Sequence, residues 1–255
     1  DPFESNFFKY FALNFNSFGL KKLTATCYNG STIAGNELEL DFGEKDPNDR
    51  IAYKVELSEV TDITGDGAID MEDIKATLKS VKVVSELKGN GDFRSEECIE
   101  LLKDADIVVT NPPFSLFREF LAWIVEADKQ FVIIGNMNAI SMKEIFPLLK
   151  GNQIWLGKEF GAKEYCTPNG EKQKMGNTCW FTNIDHGRRH QPLSLMTQAD
   201  NIKFSKHKEI KGKGYMHYDN FDAIDVPYVD AIPSDYTGIM GVPISFMDKY
   251  CPEQF

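Results

Sequence analysis

The chain has 255 residues, of which 42% are hydrophobic, so it can bury a sizeable core, and disorder is excluded as its dominant state. Its net charge of −11 excludes a uniformly basic nucleic-acid binder. It does not exclude DNA binding, because that depends on the local patch that meets the phosphates.

Helical and strand patterns alternate through the first two thirds of the chain. Apolar residues at helical spacing predict a helix over Ser5–Phe18, which Gly19 ends. Residues 22–27 (KLTATC) alternate as a strand. Ser95 is a predicted N-cap of a helix whose first turn is acidic. Residues 107–109 (IVV) form a short apolar run that predicts a buried strand.

The pattern continues in the same way toward residue 185. A helix is predicted from Ser115, and a buried strand is predicted over Phe131–Ile134. Ser141 and Glu144 have the spacing of a capping box, which predicts the start of another helix. Two more strands are predicted over Ile154–Leu156 and Cys179–Phe181.

Apolar strands that alternate with capped helices are typical of an α/β protein with a doubly wound parallel sheet. Ligands on such a sheet bind at the carboxyl ends of the strands. After about residue 185 the sequence becomes polar and is punctuated by Gly and Pro. We therefore predict a catalytic domain over residues 1–184, with an insert over about 30–90, and a separate region over 185–255, and we expect the chain to be part of a longer protein.

The tetrapeptide Asn111-Pro112-Pro113-Phe114, called the NPPF loop, follows a predicted strand and precedes a predicted helix. The two prolines fix φ and lack N–H groups, which gives a rigid loop with free carbonyls. Such a loop suits methyl transfer to an exocyclic amine, because the Asn111 oxygen and the Pro112 carbonyl each accept one N–H of that amine. Phe114 would stack on the base, which must flip out of a duplex to enter. The alternative is a Pro-Pro turn with a buried Phe.

Beyond this loop, the sequence resembles the EcoRI-type adenine-specific DNA methyltransferases. The resemblance implies a Rossmann-like class I methyltransferase fold with a C-terminal DNA-recognition region, S-adenosylmethionine as donor, and adenine N6 in double-stranded DNA as acceptor. Similar loops occur in enzymes that methylate RNA bases or a glutamine amide, and these two substrates remain alternatives. The segments that carry the resemblance are DPFESNFFKYF (1–11), GLKKLTATCY (19–28), GDFRSEECIELLKDADIVVTNPPFSLFREF (91–120), FVIIGNMNAISMKEIF (131–146), IWLG (154–157) and TGIMGVPISFMDKYCPEQF (237–255).

The resemblance also implies where the donor binds. Its methionine part is placed at Asp1 and Pro2, where the family's first strand ends. It also meets the start of the following helix at Ser5 and Asn6, where N–H groups can bind a carboxylate. Its ribose is placed at residues 27–29, where the family's second strand ends, and its adenine at the segment that contains Asp92 and Phe93. The chain departs from the common pattern because it lacks a Gly-x-Gly loop and an acidic residue at the second strand end. The implied donor-binding residues are Asp1, Pro2, Ser5, Asn6, Cys27, Tyr28, Asn29, Asp92, Phe93 and Asn111.

Residues 62–73 (DITGDGAIDMED) have the ligand spacing of an EF-hand-like calcium loop, with Gly67 at the turn position. Thr64 and Asp73 replace the usual Asp or Asn and the usual Glu, which weakens binding. An acidic turn that caps a helix over Asp70–Leu78 explains the same residues equally well. If calcium does bind, a calcium-dependent binding module is an alternative function. The predicted calcium ligands are Asp62, Thr64, Asp66, Ala68, Asp70 and Asp73.

A local basic region offsets the acidic charge of the chain. We interpret it either as a surface that contacts DNA phosphates or as a solvated face, with equal weight. The predicted DNA-binding residues are Arg188, Arg189, Lys203, Lys206, Lys208, Lys211 and Lys213.

The five cysteines are scattered, without a C-x-x-C pair, which fits neither a zinc site nor a disulfide framework and suits a reducing cytoplasm. The sequence contains no run of eighteen apolar residues, so no membrane partner is expected. The sequence is compatible with a monomer and does not determine the oligomeric state.

Overall fold

In a computed structural model, the chain forms two compact units. The structure describes residue 2 and residues 5–30, 51–79, 83–158, 163–166 and 170–255. The first unit comprises Asp1–Thr110 and Val125–Lys129, and the second comprises Asn111–Ile124 and Gln130–Phe255. The division predicted at residue 184 falls inside the second unit.

In its described part, the first unit contains an antiparallel sheet with helices packed on it. β2 lies between β1 and β3 and is antiparallel to both. Phe8 of α1, Val55 of β2 and Ile74 of α2 belong to one buried apolar cluster, which holds the helices on the sheet. The elements of this unit are α1 (Asn6–Leu13), β1 (Leu23–Cys27), β2 (Tyr53–Leu57), α2 (Met71–Leu78), β3 (Val84–Glu86), α3 (Glu96–Asp104) and β4 (Ile107–Thr110).

Side-chain caps fix where these helices begin. Ser5 Oγ accepts the Phe8 N–H, and Ser95 Oγ accepts the Cys98 N–H, as the sequence predicts. α1 ends at Leu13, five residues earlier than predicted, where the Asn14 side-chain amide donates to the Tyr10 carbonyl at 2.8 Å. The Asn14 backbone N–H donates to the same carbonyl at 3.1 Å, and the next N–H, of Phe15, donates to the Ala12 carbonyl instead of to that of Phe11, so the α-helical pattern stops here.

The second unit contains a sheet in which β9 is antiparallel to both β5 and β6. Farther along the chain, β10 is antiparallel to β11, and β11 is parallel to β12. The β10–β12 sheet packs on its own small core of Ile224, Val226 and Ile232. The last two residues of α4 are assigned to the first unit. The elements of the second unit are α4 (Phe117–Glu126), β5 (Gln130–Asn136), α5 (Phe146–Lys150), β6 (Trp155–Leu156), β7 (Lys163–Cys166), β8 (Lys172–Met175), β9 (Thr178–Thr182), α6 (Gln198–Phe204), β10 (Met216–His217), β11 (Ala223–Asp225) and β12 (Ile239–Gly241).

The mixed α/β class is confirmed, but β2 is antiparallel to both of its neighbours, and so is β9, whereas the sequence pattern predicts a parallel sheet. Periodicity indicates that a segment is a strand and which face is buried, but it does not identify the partner or its direction. β4 is confirmed as a strand, yet Ile107 is 49% exposed and the rest of the strand is half-buried.

The helix predicted to begin at Ser141 begins instead at Phe146. Ser141 ends a 3₁₀ turn and donates its hydroxyl to the Asn138 carbonyl at 3.0 Å, so it does not act as an N-cap. Pro147 stands in the first turn of α5, where a residue without an N–H is tolerated.

None of the helices in the described ranges is both long and apolar enough to cross a membrane. The side chains of Cys27, Cys98, Cys179 and Cys251 are buried.

Candidate functional site

The NPPF loop follows β4 in the chain and leads into a 3₁₀ turn over Phe114–Leu116. The Leu116 N–H donates to the Pro113 carbonyl at 2.9 Å, and the Phe117 N–H donates to the Phe114 carbonyl. α4 begins directly after this turn, at Phe117. The two prolines of the loop fix their own φ angles, and the hydrogen-bonded turn fixes the residues that follow, so few backbone torsions of the loop are free.

The loop presents two different side chains to solvent. Asn111 is exposed and makes no hydrogen bond to any residue that the structure describes. Phe114 is 42% exposed, which rules out the alternative of a Pro-Pro turn with a buried Phe at this position. Pro112 is buried between them, and Phe117 is buried to 2% exposure. The loop thus offers an amide oxygen and an aromatic face on a buried support.

Two of the segments predicted to bind the donor lie together in the first unit. The Asn29 N–H donates to the Asn90 carbonyl at 3.0 Å. Gly91 has a φ of 78°, and a Cβ atom at this position would lie 2.6 Å from the Cys27 carbonyl oxygen. Only glycine combines this backbone conformation with so close an approach. The end of β1 and the segment that contains Asp92 therefore form one edge.

Asp92 is held by its neighbour Arg94. The Asp92 carboxylate accepts the Arg94 backbone N–H and Nε–H, both at 2.9 Å, and Nη2 at 2.8 Å. Arg94 holds the pKa of Asp92 at about 2, so this carboxylate is ionised at neutral pH. The Arg94 guanidinium also lies 5.1 Å above the Phe93 ring, so all three side chains form a single cluster.

The other predicted donor-binding residues differ in how they are exposed. Asp1 lies outside the described residues, and Pro2 is buried. Cys27 is fully buried, and this burial raises the pKa of its thiol, whereas Tyr28 is 46% exposed. At the end of β1, Tyr28 rather than Cys27 is therefore available to a ligand. Ser5 caps α1, and Asn6 is exposed at its first position.

The structure does not support the predicted calcium loop. Asp62 accepts the N–H groups of Gly65 and Gly67 at 2.6 and 2.8 Å, and Asp73 is buried and accepts three backbone N–H groups. Asp70 caps α2 in a capping box with Asp73, so the interpretation as an acidic capping turn is confirmed. Among the described residues, no group of three or more acidic, His or Cys side chains could hold a metal. The correction applies to Asp62, Thr64, Asp66, Ala68, Asp70 and Asp73.

Arg188 and Arg189 are engaged within the second unit instead of forming a free basic surface. Arg188 Nη2 lies 2.5 Å from Asp248 Oδ2. Arg189 pairs with Asp185 at 3.1 Å, and its guanidinium lies 3.8 Å above the Trp155 ring. Because both charges are matched by carboxylates, neither arginine is well placed to bind phosphate.

The predicted lysines are all exposed, but they differ in their partners. Lys206 pairs with Asp230 at 2.7 Å, and the ammonium of Lys203 lies 4.9 Å above the Phe204 ring. The other three form no ion pair within the described part of the chain. They are Lys208, Lys211 and Lys213.

Sequence reasoning missed two residues that shape these sites. Gly91 and Arg94 position the edge that contains Asp92, and the signal for the first is the Gly-Asn-Gly-Asp run over residues 89–92, since glycine pairs of this kind mark turns. The alternating segment YKVEL, which forms β2, also carries a strand signal, although no strand was predicted there.

Comparisons with known proteins agree on one family. The whole chain, residues 1–255, matches the family described as "Adenine-specific methyltransferase EcoRI". The chain is 39% identical to Type II methyltransferase M.EcoRI of Escherichia coli, with all of this chain and 74% of that protein covered. It is 35% identical to Type II methyltransferase M.MgeORF184P of Mycoplasma genitalium and 33% identical to Type II methyltransferase M.MpnI of Mycoplasma pneumoniae, with all of this chain and 71% of each protein covered. No solved structure matches the chain.

Proposed function

Because this chain belongs to the EcoRI family of adenine-specific methyltransferases, we propose that it methylates the N6 amine of adenine in double-stranded DNA, with S-adenosylmethionine as donor. We propose a cytoplasmic location for this bacterial or phage-encoded protein, because the DNA that it would methylate lies in the cytoplasm. The observation that carries the proposal is the NPPF loop, in which Asn111 and Phe114 are exposed on a rigid, hydrogen-bonded support.

In the proposed reaction the chain's own residues act on the base. The Asn111 oxygen and the Pro112 carbonyl accept the two N–H groups of the adenine amine, which turns its lone pair toward the incoming methyl group. Phe114 stacks on the flipped base and holds it at the near-attack distance of roughly 3–3.5 Å. Bound S-adenosylmethionine would supply a methyl group that its sulfonium has already activated and would leave as S-adenosylhomocysteine. The methylated amine then releases one of its N–H protons to solvent, so the chain needs no nucleophilic side chain.

The edge formed by the end of β1 and the segment around Asp92 fits the adenosine part of the donor. Tyr28 and Phe93 offer aromatic surface, and Asp92 offers an ionised carboxylate whose two oxygens also accept hydrogen bonds from Arg94. The α1 start near Ser5 and Asn6 would meet the donor's carboxylate. The strand–loop–helix order around the NPPF loop supports a Rossmann-like class I methyltransferase fold.

We also propose that residues 185–255 recognise DNA. This region has a separate apolar core and contains Lys208, Lys211 and Lys213, which form no ion pair with any residue that the structure describes. An acidic protein repels the duplex over most of its surface, so productive contact has to be confined to a local basic patch.

Asp92→Ala is expected to weaken donor binding about tenfold, because a hydrogen bond to a charged group is lost. Turnover at saturating donor should change little, since the interaction is made equally in the ground and transition states. Calorimetric titration with S-adenosylmethionine measures the affinity. Glu100→Ala is the matched control: it removes an exposed carboxylate from α3 of the same unit, so it should bind donor as well as the parent. Parental affinity of Asp92→Ala would reject the assignment.

A triple variant of Lys208, Lys211 and Lys213 to Ala is expected to bind DNA of every sequence more weakly. The slope of log K against log salt should fall by about 2.7, since each phosphate contact contributes about 0.9. A control variant with Lys75, Lys79 and Lys103 changed to Ala removes the same charge from exposed positions of the first unit and should keep the parental slope. Equal slopes in the parent and the first variant would make this run a solvated face.

The proposed function is tested by incubating the purified protein with labelled S-adenosylmethionine and duplex DNA. After digestion to nucleosides, mass spectrometry should detect N6-methyladenine as the labelled product. Parallel reactions contain RNA and a protein acceptor, because similar loops serve RNA bases and glutamine amides. Label found in RNA or protein and not in DNA would overturn the proposal.

A further inference from the structure

Gly135 of β5 lies on the sheet face that carries the first residue of α4. Its backbone pairs with Cys179 of β9. It shares this face with Ile133 and Phe181, because alternate residues and directly opposed partners point the same way. Phe117 packs here, with its ring centroid 5.0 Å from that of Phe181 and only 2% of the residue exposed.

No side chain fits at position 135 without a shift of its neighbours. A Cβ atom on Gly135 would lie 2.5 Å from both Cε2 and Cζ of Phe117, and 2.7 Å from Cε2 of Phe181. Ordinary contacts begin at 3.4 Å, so a methyl group would have to move a ring by about 0.9 Å. The Phe117 ring therefore rests directly on the β5 backbone.

Phe117 is tied to the NPPF loop by the short turn that precedes α4. Its N–H donates to the Phe114 carbonyl, and the Leu116 N–H donates to the Pro113 carbonyl at 2.9 Å. Pro113 has a φ of −55°, which its ring fixes. Because so few torsions are free, a displacement of Phe117 is passed to the loop.

We propose that Gly135 is a positioning residue for methyl transfer: the missing side chain lets Phe117 seat on β5, and this seat sets where the NPPF loop meets the base. The inference rests on the function proposed above and deepens it, since it names a residue outside the loop that controls the loop's placement. Gly135 touches neither the donor nor the base and acts through Phe117.

Gly135→Ala is expected to lower the turnover of methyl transfer to DNA about tenfold, because a misplacement of about 1 Å at a reacting centre is costly. The affinity for S-adenosylmethionine, measured by calorimetry, should stay within a few-fold of the parental value, since the donor segments around Cys27 and Asp92 belong to the other unit and only Asn111 of the implied donor-binding residues lies on the loop. Turnover is measured at saturating donor and DNA and expressed per folded protein, with the folded fraction taken from the melting curve.

A second substitution should restore the lost turnover. Phe117→Leu removes the two ring atoms nearest to a Cβ at position 135 and leaves space into which the Phe181 ring can move, so the double variant Gly135→Ala/Phe117→Leu should be faster than Gly135→Ala. Phe117→Leu alone leaves a void beside Phe181 and should be less stable than the parent. The two changes should therefore offset each other in a double-mutant cycle of both turnover and stability.

Gly157→Ala is a matched control, because Gly157 directly follows β6 of the same sheet. A Cβ at Gly157 would lie 2.7 Å from Cβ of Trp180, so the crowding is comparable, but it involves β9 and not the NPPF loop. We expect this variant to lose stability while its folded fraction keeps the parental turnover.

Parental turnover of folded Gly135→Ala would overturn the proposal, as would equal losses of turnover in Gly135→Ala and Gly157→Ala. If Gly135→Ala does not fold, the double variant is compared with Phe117→Leu: equal or higher turnover and stability support the proposal, and lower values overturn it. A parent that methylates no DNA refutes the proposed function instead, and the stability cycle then decides alone whether Gly135 and Phe117 are coupled.

Discussion

Replacing Asn111 by alanine is expected to lower the turnover of methyl transfer by about 10²–10³, the usual cost of one positioned polar contact at a reacting centre. The Asn111 side chain is exposed and has no hydrogen-bond partner in the described part of the chain, so it is free to accept an N–H from the adenine amine. Its removal leaves the amine planar and its lone pair delocalised. Because this side chain bonds no described residue, stability should not change.

The affinity for S-adenosylmethionine should stay within a few-fold of the parent, because Asn111 is proposed to act on the base. Turnover is followed by label transfer to DNA, and donor affinity by calorimetry. Ser115→Ala is the matched control, since Ser115 is an exposed polar residue of the adjoining turn; its turnover should equal that of the parent. An Asn111→Ala enzyme with nearly parental turnover would refute the mechanism.

What the sequence predicted correctly depends on neighbouring residues. Ser5 and Ser95 act as N-caps because each hydroxyl bonds an N–H three residues away, a separation short enough to be recognised in the sequence. The NPPF loop is an equally local signal, and its role in catalysis stays a prediction. Even local signals compete, however: Ser141 has the spacing of a cap but bonds the Asn138 carbonyl instead.

What the sequence did not predict depends on partners far along the chain. Asp248, which matches the charge of Arg188, is sixty residues away from it, so a pair of arginines could be interpreted as a free basic patch. The contact of Gly91 with the end of β1 and the contact of Gly135 with Phe117 are also non-local. Strand direction is of the same kind, because periodicity is identical in parallel and antiparallel neighbours.

Phe114→Ala is the second change expected to have a large effect. Stacking of a base on an aromatic ring contributes about 1–3 kcal/mol, which corresponds to a loss of roughly five- to 150-fold in turnover if the contact forms only with the flipped base. Phe114 is 42% exposed, so its truncation also removes covered apolar surface and should lower the melting temperature; turnover is therefore expressed per folded protein. Phe114→Trp keeps an aromatic face and should retain more turnover than Phe114→Ala.

Phe146 provides the matched control for this experiment. It is 46% exposed, stands at the start of α5 in the same unit, and loses the same atoms on substitution by alanine. Turnover of Phe146→Ala should equal that of the parent, because the residue lies outside the NPPF loop and the turn that follows it. Tryptophan restores stacking but not the shape of phenylalanine. The turnover of Phe114→Trp should therefore lie between those of the parent and Phe114→Ala, and this comparison tests the stacking role. If the tryptophan and alanine variants are equally slow, Phe114 does not stack on the base, and the loop holds its substrate through Asn111 and Pro112 alone.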